Sequence, residues 1–533
     1  MVVDHEYIIK MPDEDTVPEH GIGFEIFHQM KLRKNEVSQY IVETDESVTI
    51  GELLDASTRV AISLKKLNLA DDAIIAISSW SHKQTCIPYI AGLFNGNIVT
   101  FLDPLVTPKD KALMFEKVTP SILFVDEDNL GNIEESLKLG GLDIKIVVFE
   151  GNKNGYISLE EFSRVTDSEV EAFEPVKLDN NERTAVIIFS SGTTGVPKGI
   201  SLSHLGILSR TGGFSIPVTI ILSAPNWISY CLLLIRSLRE GGARVLGKNY
   251  DLSQIWRLVD KYKINMMLAS IYQCSQMIKQ PIEDGLDISS LGLLITGGAS
   301  MPPEIFSRLK QVVPNVLILQ AYGLTEACGP TLVFDLGLAK DREFHKKKPD
   351  SCGTPIPGVW YKVVDPETEE ILGPNKPGEL RIKSRYSMLG YYNEDSSKDF
   401  DSDGYLKTGD ILQYDEDLCF FVIDRLKEML KYRGFIWSPT ELENALITHP
   451  FVEIAAVVGV PHIEDGDLPM CLVKLRENCQ VDPDELVEHV NNILKDERKK
   501  LRAGVKIVKD LPLTGTGKIH KKKIREMILD GQI

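Results

Sequence analysis

One short run of residues has the composition of a binding loop for a charged ligand. Residues 190–199 have the sequence SSGTTGVPKG and directly follow the apolar run Val186–Phe189. Four hydroxyls supply hydrogen-bond donors, three glycines allow close approach of the backbone to a ligand, and Lys198 adds a positive charge. Backbone N–H groups and hydroxyls in such a loop favour a phosphate group. The spacing differs from that of a Walker P-loop.

Short apolar runs bounded by turn residues must position this loop. Such runs are typical of strands buried on both faces, and the stretches between them have helical spacing, as in Thr49–Leu67 and Ser253–Tyr262. This alternation predicts an α/β architecture with mainly parallel sheets, in which ligands bind at the carboxyl ends of strands. The predicted strands are Ala73–Ser78, Ile98–Phe101, Ser121–Val125, Ile144–Phe149, Val186–Phe189, Leu293–Thr296 and Val316–Leu319.

The pattern changes near residue 353. Segments such as Tyr361–Val364 and Glu379–Ile382, separated by turn-forming residues, predict a meandering β region over about residues 353–424. Apolar strands and charged helices return after residues 423–427. We therefore predict an N-terminal domain of residues 1–424 and a C-terminal domain of residues 425–533.

Composition excludes several classes of protein. The 533 residues carry 59 Lys and Arg against 77 Asp and Glu, a net charge of −18, so a nucleic acid is not expected as the main partner. The eight cysteines form no CxxC pair, which predicts reduced thiols in an intracellular protein without a cysteine metal site. No apolar run approaches the roughly 18–20 residues that span a bilayer. The basic run His345–Lys348 is predicted to be a solvated loop.

Six further motifs follow the loop in a fixed order, and together they carry a family resemblance. The seven motifs span residues 190–518 and resemble those of the adenylate-forming enzymes, which include acyl-CoA synthetases, 4-coumarate–CoA ligases and beetle luciferases. Their spacing is most similar to that of the luciferases and the insect luciferase-like acyl-CoA synthetases. The six are GGA (297–299), QAYGLTE (320–326), YLKTGD (405–410), DRLKE (424–428), KYRGF (431–435) and PLTGTGK (512–518).

This resemblance implies a fold and a chemistry. The fold is α/β, with two α/β subdomains and a β-barrel-like subdomain in the large N-terminal domain and a small, mobile α+β C-terminal domain. The chemistry is attack of a carboxylate on the α-phosphate of ATP, with release of pyrophosphate. The barrier is largely electrostatic, because two anions must meet. The β- and γ-phosphates would be held by Ser190, Ser191, Gly192, Thr193, Thr194, Gly195 and Lys198.

The resemblance also implies roles for residues outside the loop. Thr325 would contact the α-phosphate region, and Glu326 would hold Mg²⁺, whose hard charge suits oxygen ligands. Gly297, Gly298 and Ala299 would lie along the adenine and acyl pocket, and Tyr322 would stack on the base.

Three charged residues complete the implied ATP site. Asp410 would accept hydrogen bonds from the ribose hydroxyls and Arg425 would donate to the same sugar. Lys518 would be a mobile catalytic lysine that bridges the carboxylate and the phosphate. The plain alternatives are a turn residue, a surface ion pair and a solvated lysine. The last 39 residues hold 12 Lys and Arg against 5 Asp and Glu, which suggests that a positive lid closes over ATP.

A second half-reaction is implied by the same resemblance. The C-terminal domain would rotate about a hinge at Lys427 and bring Gly434 to the pantetheine tunnel of CoA, with Lys431 facing the site. One element departs from the family pattern, because many relatives carry a Pro-x-x-His element where this chain has Pro225-Asn226-Trp227-Ile228. The position nearest to that histidine is Ile228. Harmless drift and an altered CoA-transfer pocket both remain open as explanations.

The leading hypothesis is an AMP-forming carboxylate–CoA ligase that acts on a fatty or other hydrophobic acid, with ATP, Mg²⁺ and CoA. The first alternative is a luciferase-type monooxygenase that adenylates a luciferin and oxidises it with O₂. The second is a catalytically weak paralogue that binds acyl groups or nucleotide. The sequence ends in DGQI, without a Ser-Lys-Leu signal, which favours the cytoplasm over the peroxisome.

Overall fold

The computed structural model describes residues 2–3, 7–13, 17–151, 155–190, 197–213, 215–248, 250–433, 435–513 and 518–533. These residues form a mixed α/β structure built on four sheets. The helices in the described ranges are α1 Ile22–Leu32, α2 Ile50–Lys66, α3 Ile87–Phe94, α4 Pro108–Val118, α5 Leu130–Gly140, α6 Leu159–Phe162, α7 Asp167–Glu171, α8 His204–Ser209, α9 Ile228–Glu240, α10 Ile255–Tyr262, α11 Ile271–Met277, α12 Pro303–Val312, α13 Ala339–Lys347, α14 Thr440–Ile447, α15 Pro483–Ile493 and α16 Lys521–Leu529.

Strands run along nearly the whole chain, from the N-terminus to the last sheet. Those in the described ranges are β1 Val2–Val3, β2 Ile9–Lys10, β3 Val37–Ile41, β4 Ser47–Thr49, β5 Ile74–Ser78, β6 Ile98–Phe101, β7 Ile122–Val125, β8 Lys145–Val148, β9 Ile157–Ser158, β10 Thr184–Ser190, β11 Lys198–Ser203, β12 Val218–Ile221, β13 Ala243–Leu246, β14 Met266–Ala269, β15 Leu293–Gly297, β16 Leu317–Leu324, β17 Gly329–Val333, β18 Thr354–Pro355, β19 Trp360–Val364, β20 Ile371–Leu372, β21 Gly378–Lys383, β22 Gly390–Tyr391, β23 Leu406–Tyr414, β24 Phe420–Arg425, β25 Leu430–Tyr432, β26 Phe435–Trp437, β27 Val452–His462, β28 Gly466–Leu475 and β29 Val505–Val508.

Two α/β sheets form the centre of the large N-terminal part. One has the strand order β22-β11-β10-β6-β5-β7-β8-β9 and the other the order β18-β17-β16-β15-β14-β12-β13-β3-β4. The inner strands of both sheets are parallel, whereas β11, β22, β17, β18 and β4 add antiparallel edges. The predicted α/β class is therefore confirmed, with mixed rather than purely parallel sheets.

The predicted strands appear in these two sheets, some with longer bounds than expected. Ile98–Phe101 has the predicted bounds, whereas the strand predicted at Val316–Leu319 continues to Leu324. Helix α2 begins at Thr49, where the hydroxyl accepts from the N–H of Glu52 and the Glu52 carboxylate accepts from the N–H of Thr49. This reciprocal cap satisfies two backbone donors and defines the start of the helix.

A third sheet is antiparallel throughout. Its order is β1-β2-β19-β21-β23-β24, with β20 paired to β19. The sequence predicted the strands within residues 353–424 but not the two N-terminal strands that extend the sheet. A fourth sheet, in the order β26-β25-β28-β27 with β29 parallel to β28, forms the small C-terminal part.

One ion pair links the C-terminal part directly to the large part. Lys279, just beyond α11, lies with its Nζ atom 2.7 Å from Oε1 of Glu453 on β27. The Glu453 side chain is only 6% exposed, so its carboxylate is nearly removed from water. The C-terminal sheet is thereby held against the α11 side of the second α/β sheet.

The prediction of a solvated loop at residues 345–348 is wrong. His345 and the two following lysines belong to α13, and Lys348 caps this helix. His345 contacts the carbonyl of Ile318 at 2.7 Å, and Lys348 forms ion pairs with Asp415 and Asp417, both at 2.6 Å. Local charge density alone predicted a loop, whereas distant carboxylates stabilise the folded segment.

Within the described ranges, no helix is both long enough and apolar enough to cross a bilayer.

The contact between α1 and α3 generates a prediction about stability. A Cβ atom added at Gly23 would lie 1.8 Å from the carbonyl oxygen of Leu93, so Gly23→Ala must push the two helices apart. Overpacking of this kind costs about 1–3 kcal/mol. We expect Gly23→Ala to lower the melting temperature, measured by circular dichroism. The control is Gly131→Ala in α5, where a Cβ atom meets nothing within 4 Å and helix propensity favours alanine. Equal melting temperatures for the two variants would contradict the prediction.

Candidate active site

The carboxyl ends of two adjacent parallel strands bring two of the motifs together. In the register of β15 and β16, Gly297 lies opposite Ala321. Residues 298–299 leave the end of β15, and Gly298 has a φ of +84°, a left-handed conformation that favours glycine. Strand β16 ends at Leu324, and Thr325 and Glu326 lie in the short 3₁₀ turn before β17 returns. Both motifs therefore lie at one edge of the second α/β sheet.

The ends of the phosphate-type loop are held by an antiparallel pair of strands. Ser190 on β10 lies opposite Lys198 on β11, so the loop between them leaves and re-enters the sheet at one point. The predicted ligands Ser191, Gly192, Thr193, Thr194 and Gly195 lie outside the described residues. The side chain of Lys198 is 24% exposed, with its Nζ atom 3.8 Å from Oδ1 of Asp399 and 3.9 Å from the ring centroid of Tyr391.

Asp410 lies at the centre of a buried polar cluster. The Tyr322 hydroxyl donates to Oδ2 of Asp410 at 2.8 Å, and Nε of Arg425 lies 3.3 Å from Oδ1. Arg425 faces Asp410 across the antiparallel pair β23–β24. Burial raises the pKa of Asp410, while Arg425 and the Tyr322 hydroxyl oppose this shift. The Asp410 carboxylate, held in this way beside the half-exposed Arg425, could accept hydrogen bonds from the hydroxyls of a ligand.

Glu326 is the carboxylate available to a metal ion at this edge. Burial raises its pKa, and the hydroxyl of Tyr391 donates to its Oε1 atom at 3.3 Å. Within the described part of the chain, no group of three or more His, Cys, Asp and Glu side chains could hold a metal ion. Mg²⁺ usually binds through one or two carboxylates plus the phosphates of its substrate, so a single carboxylate fits a metal that arrives with a nucleotide.

Lys518, from the far end of the chain, reaches this site. A Cβ atom added at Gly298 would lie 3.0 Å from Cε and 3.2 Å from Nζ of Lys518. The absence of a side chain at Gly298 therefore leaves room for the lysine. Burial, followed by the nearby Arg425, lowers the pKa of Lys518 to about 8, against an opposing effect of Asp410.

The remaining predicted residues all come before Lys518 in the chain, and three of them belong to the C-terminal part. Lys427 lies in a 3₁₀ turn between β24 of the third sheet and β25 of the fourth, where the chain passes from one part to the other. Lys431 is exposed on β25, and its N–H donates to Asp467 at 3.1 Å. Gly434 lies outside the described residues, and Ala299 is exposed beside Gly298.

The position of the missing histidine is the first residue of α9. Ile228 and Leu232 lie on one side of this helix, and a Cβ atom added at Gly329 would lie 2.6 Å from Leu232 and 4.0 Å from Ile228. This side of α9 is therefore apolar and closely packed against β17. It offers no titratable side chain at the position where many relatives carry one.

The contacts of Tyr391 at the site and of Lys521 in the C-terminal part were not predicted. Tyr391 touches both Lys198 and Glu326, although it lies in a two-residue strand without a pattern of its own. Lys521 belongs to the basic last 39 residues, but its Nζ atom lies 2.8 Å from Glu443 and 3.5 Å from Glu428, and its side chain is 14% exposed. The tail is therefore partly neutralised inside the protein.

The environment of Lys518 generates a prediction about its charge. A lysine is positive below its pKa, so with a pKa of about 8 its charge is lost as the pH rises through 8. Burial also lowers the pKa of Lys111 to about 8, so we expect two lysine ¹³C resonances of the reductively ¹³C-methylated protein to titrate near pH 8 and one of them to be absent from Lys518→Arg. A resonance assigned to Lys518 that stays protonated above pH 10 would contradict this expectation.

Comparison with known proteins identifies the family of this chain. Residues 28–392 match the sequence profile of the family described as "AMP-binding enzyme", and residues 441–518 match "AMP-binding enzyme C-terminal domain". A luciferin 4-monooxygenase of Photuris pensylvanica is 32% identical over 91% of this chain and 90% of its own. A 4-coumarate-CoA ligase of Narcissus pseudonarcissus is 29% identical over 97% of this chain and 95% of its own.

Solved structures have the same fold. The luciferase-like enzyme from the nonluminescent mealworm Zophobas morio is 33% identical and superposes with a TM-score of 0.75, covering 79% of this chain and 99% of its own. An anthranilate CoA ligase in complex with anthranoyl-AMP has a TM-score of 0.86 at 22% identity, covering 97% and 99% of the two chains. The profile matches more than half of the residues, so this chain belongs to the AMP-binding, adenylate-forming enzyme family.

Proposed function

We propose that this protein is an AMP-forming carboxylate–CoA ligase that activates a fatty or other hydrophobic acid with ATP and then transfers the acyl group to CoA. The observation that carries this proposal is the approach of Lys518 to Gly298, beside Asp410 and Arg425. An ammonium group at that point lies where a carboxylate and a phosphate would meet. The apolar Ile228, at the position nearest to the histidine of many relatives, supports the choice of a hydrophobic acid.

In this proposal, residues at the ends of different strands bind different parts of the nucleotide. Asp410 and Arg425 hold the ribose, and Tyr322 lies against the base. Lys198 and Ser190, with the loop residues 191–195, hold the β- and γ-phosphates, and Thr325 contacts the α-phosphate. Donors aimed at oxygens that gain negative charge lower the barrier most when they are held in place beforehand.

Glu326 would hold Mg²⁺ bound to the phosphates of ATP. The ion would supply positive charge that offsets the negative charge of the phosphates. A carboxylate with a raised pKa at the edge of a phosphate site gains most from such a partner, because the cation restores favourable surroundings for its ionised form.

The second half-reaction, transfer of the acyl group to CoA, is proposed to need a different position of the C-terminal part. We propose that residues 425–533 form a separate C-terminal domain that turns about Lys427. Gly434 and Lys431 then lie near the thiol of CoA, and Lys518 leaves the site. The position of Lys427 between the third and fourth sheets supports this proposal.

A second candidate function is supported by a specific comparison. The 32% identity to a luciferin 4-monooxygenase favours an enzyme that adenylates a luciferin and oxidises it with O₂. The ligase remains the leading proposal, because the solved luciferase-like enzyme at 33% identity comes from a nonluminescent beetle. Both candidates need the same ATP site.

One experiment separates the candidates. The purified protein is mixed with ATP, Mg²⁺ and a panel of acids from acetate to long-chain and aromatic acids, and pyrophosphate release is measured. CoA is then added, and acyl-CoA and AMP are quantified by chromatography. We expect pyrophosphate and acyl-CoA with hydrophobic acids. Light from a luciferin without acyl-CoA would favour the monooxygenase, and no pyrophosphate with any acid would indicate a catalytically weak paralogue.

The role of Lys518 leads to a prediction about the two half-reactions. We expect Lys518→Ala to lower the rate of adenylation by about 10²–10³-fold, the cost of removing one donor to a developing charge. Formation of the thioester from supplied acyl-adenylate should change little. The control is Lys522→Ala, because Lys522 is 53% exposed and its nearest carboxylate, Glu526, is 3.9 Å away. Equal loss of both half-reactions in folded Lys518→Ala would refute this division of roles.

A further inference from the structure

Tyr391 connects the two groups that are proposed to hold the triphosphate and its metal ion. Lys198 Nζ lies 3.9 Å from the centroid of its ring, and its hydroxyl donates to Oε1 of Glu326 at 3.3 Å. A cation over an aromatic face is attracted by the ring quadrupole. A single side chain therefore contacts an ammonium group through its face and a carboxylate through its hydroxyl.

The backbone holds Tyr391 against both partners. Strand β22 pairs with β11, so Tyr391 lies opposite Ile200, two residues beyond Lys198. The N–H of Tyr392 donates to the carbonyl of Gly199 at 2.7 Å. On the other side, the N–H of Met388 donates to the carbonyl of Glu326 at 2.7 Å. Residues 388–392 thus bridge the exit of the phosphate loop and the turn that carries Glu326.

The middle residue of this bridge is a glycine whose backbone conformation suits few other residues. Gly390 has a φ of +136°, a conformation that L residues other than glycine rarely adopt. The N–H of Tyr391 donates to the Ser396 hydroxyl at 2.7 Å, which closes the turn that follows β22. The position of the tyrosine ring is therefore determined from both ends of its short strand.

The ring also keeps opposite charges apart. Lys198 contacts the ring of Tyr391 and Glu326 contacts its hydroxyl, so one tyrosine side chain separates the two charged groups. Lys198 already forms an ion pair with Asp399 at 3.8 Å, and if the ring were removed its ammonium group would be free to pair with Glu326 as well. Such a pair would occupy the lysine needed by the phosphates and the carboxylate needed by the metal ion.

We propose that Tyr391 is a positioning residue that holds Lys198 and Glu326 apart and in place for the phosphates and the metal ion of MgATP. The inference rests on the proposed function only for the identity of the ligand. Its two parts are separable, because the ring face acts on Lys198 and the hydroxyl acts on Glu326.

Two variants separate these parts. Tyr391→Phe keeps the ring and removes the hydroxyl, whereas Tyr391→Leu removes both. ATP binding is measured by calorimetry without an acid substrate, first in EDTA and then over a range of Mg²⁺ concentrations. In EDTA, we expect Tyr391→Leu to weaken ATP binding about fivefold, as for loss of a cation–π contact, and Tyr391→Phe to bind like the wild type. Both variants should need several-fold more Mg²⁺ for half-maximal enhancement of ATP binding.

The control is Tyr392→Phe, which removes a hydroxyl from the adjacent, partly buried tyrosine. It should match the wild type in both titrations, and the melting temperatures of all variants show whether they are folded. A folded Tyr391→Leu that binds ATP and responds to Mg²⁺ like the wild type would overturn the proposal. A general loss of stability would lower the melting temperature and would not make Tyr391→Phe and Tyr391→Leu differ between the EDTA titration and the Mg²⁺ titration. That result would also overturn the proposal.

The outcome is distinguishable from failure of the proposed function. If the wild type binds MgATP but activates no acid, the ligase proposal fails while the variants still test Tyr391. If the wild type activates acids and Tyr391→Leu binds MgATP equally well, only the inference about Tyr391 fails. Absence of ATP binding by the wild type would overturn both.

Discussion

The candidate site depends on the close approach of Lys518 to Gly298, two residues that are distant in the sequence. A side chain at Gly298 would lie 3.0 Å from the lysine, and the backbone there has a left-handed φ of +84°. The glycine therefore serves two needs at once, a turn at the end of β15 and space for an ammonium group. The docking of the fourth sheet, the path of the chain through Lys427 and the burial of Asp410 are all compatible with this one contact.

Burial opposes the charged form of each main group in the site. It raises the pKa of Asp410 and Glu326 and lowers that of Lys518. Each group has a neighbour of opposite charge. The attraction between these neighbours offsets part of the free-energy cost of burying the charges. A ligand that carries hydroxyls, phosphates and a cation would satisfy these groups better than water can, which supports the proposal that the cluster binds MgATP.

Much of the fold and the outline of the site could be predicted from the sequence, because both are expressed in local patterns. The buried strands appear as apolar runs, and the motifs at Gly298, Thr325, Asp410 and Lys518 have family spacing. That spacing cannot reveal that Lys518 lies against Gly298, since this is a matter of tertiary docking. The roles of the predicted residues stay predictions until ligands and variants test them.

The features that escaped prediction are those with partners far away in the chain. Tyr391 lies nearly 200 residues from Lys198 and in a strand too short to have a period. Lys521 resembles its neighbours in a basic run, yet it is neutralised by Glu443 on another helix. Residues 345–347 of the basic run are helical, and the following Lys348 forms ion pairs with carboxylates at residues 415 and 417. Charge runs are therefore poor guides to exposure when their partners are remote.

The ion pair between Lys279 and Glu453 has a consequence for how the two parts of the chain recognise each other. Removing a carboxylate from water costs several kcal/mol, and pairing with a partly exposed lysine returns only part of that cost. The net affinity from this pair is therefore small. A displacement of the C-terminal sheet by even a few ångströms along α11 would separate Glu453 from Lys279 and leave it only the weaker contact with Lys474 of its own sheet, at 3.8 Å. The pair thus selects one docking register over its neighbours, and it adds little resistance to complete separation, after which water would solvate both charges again.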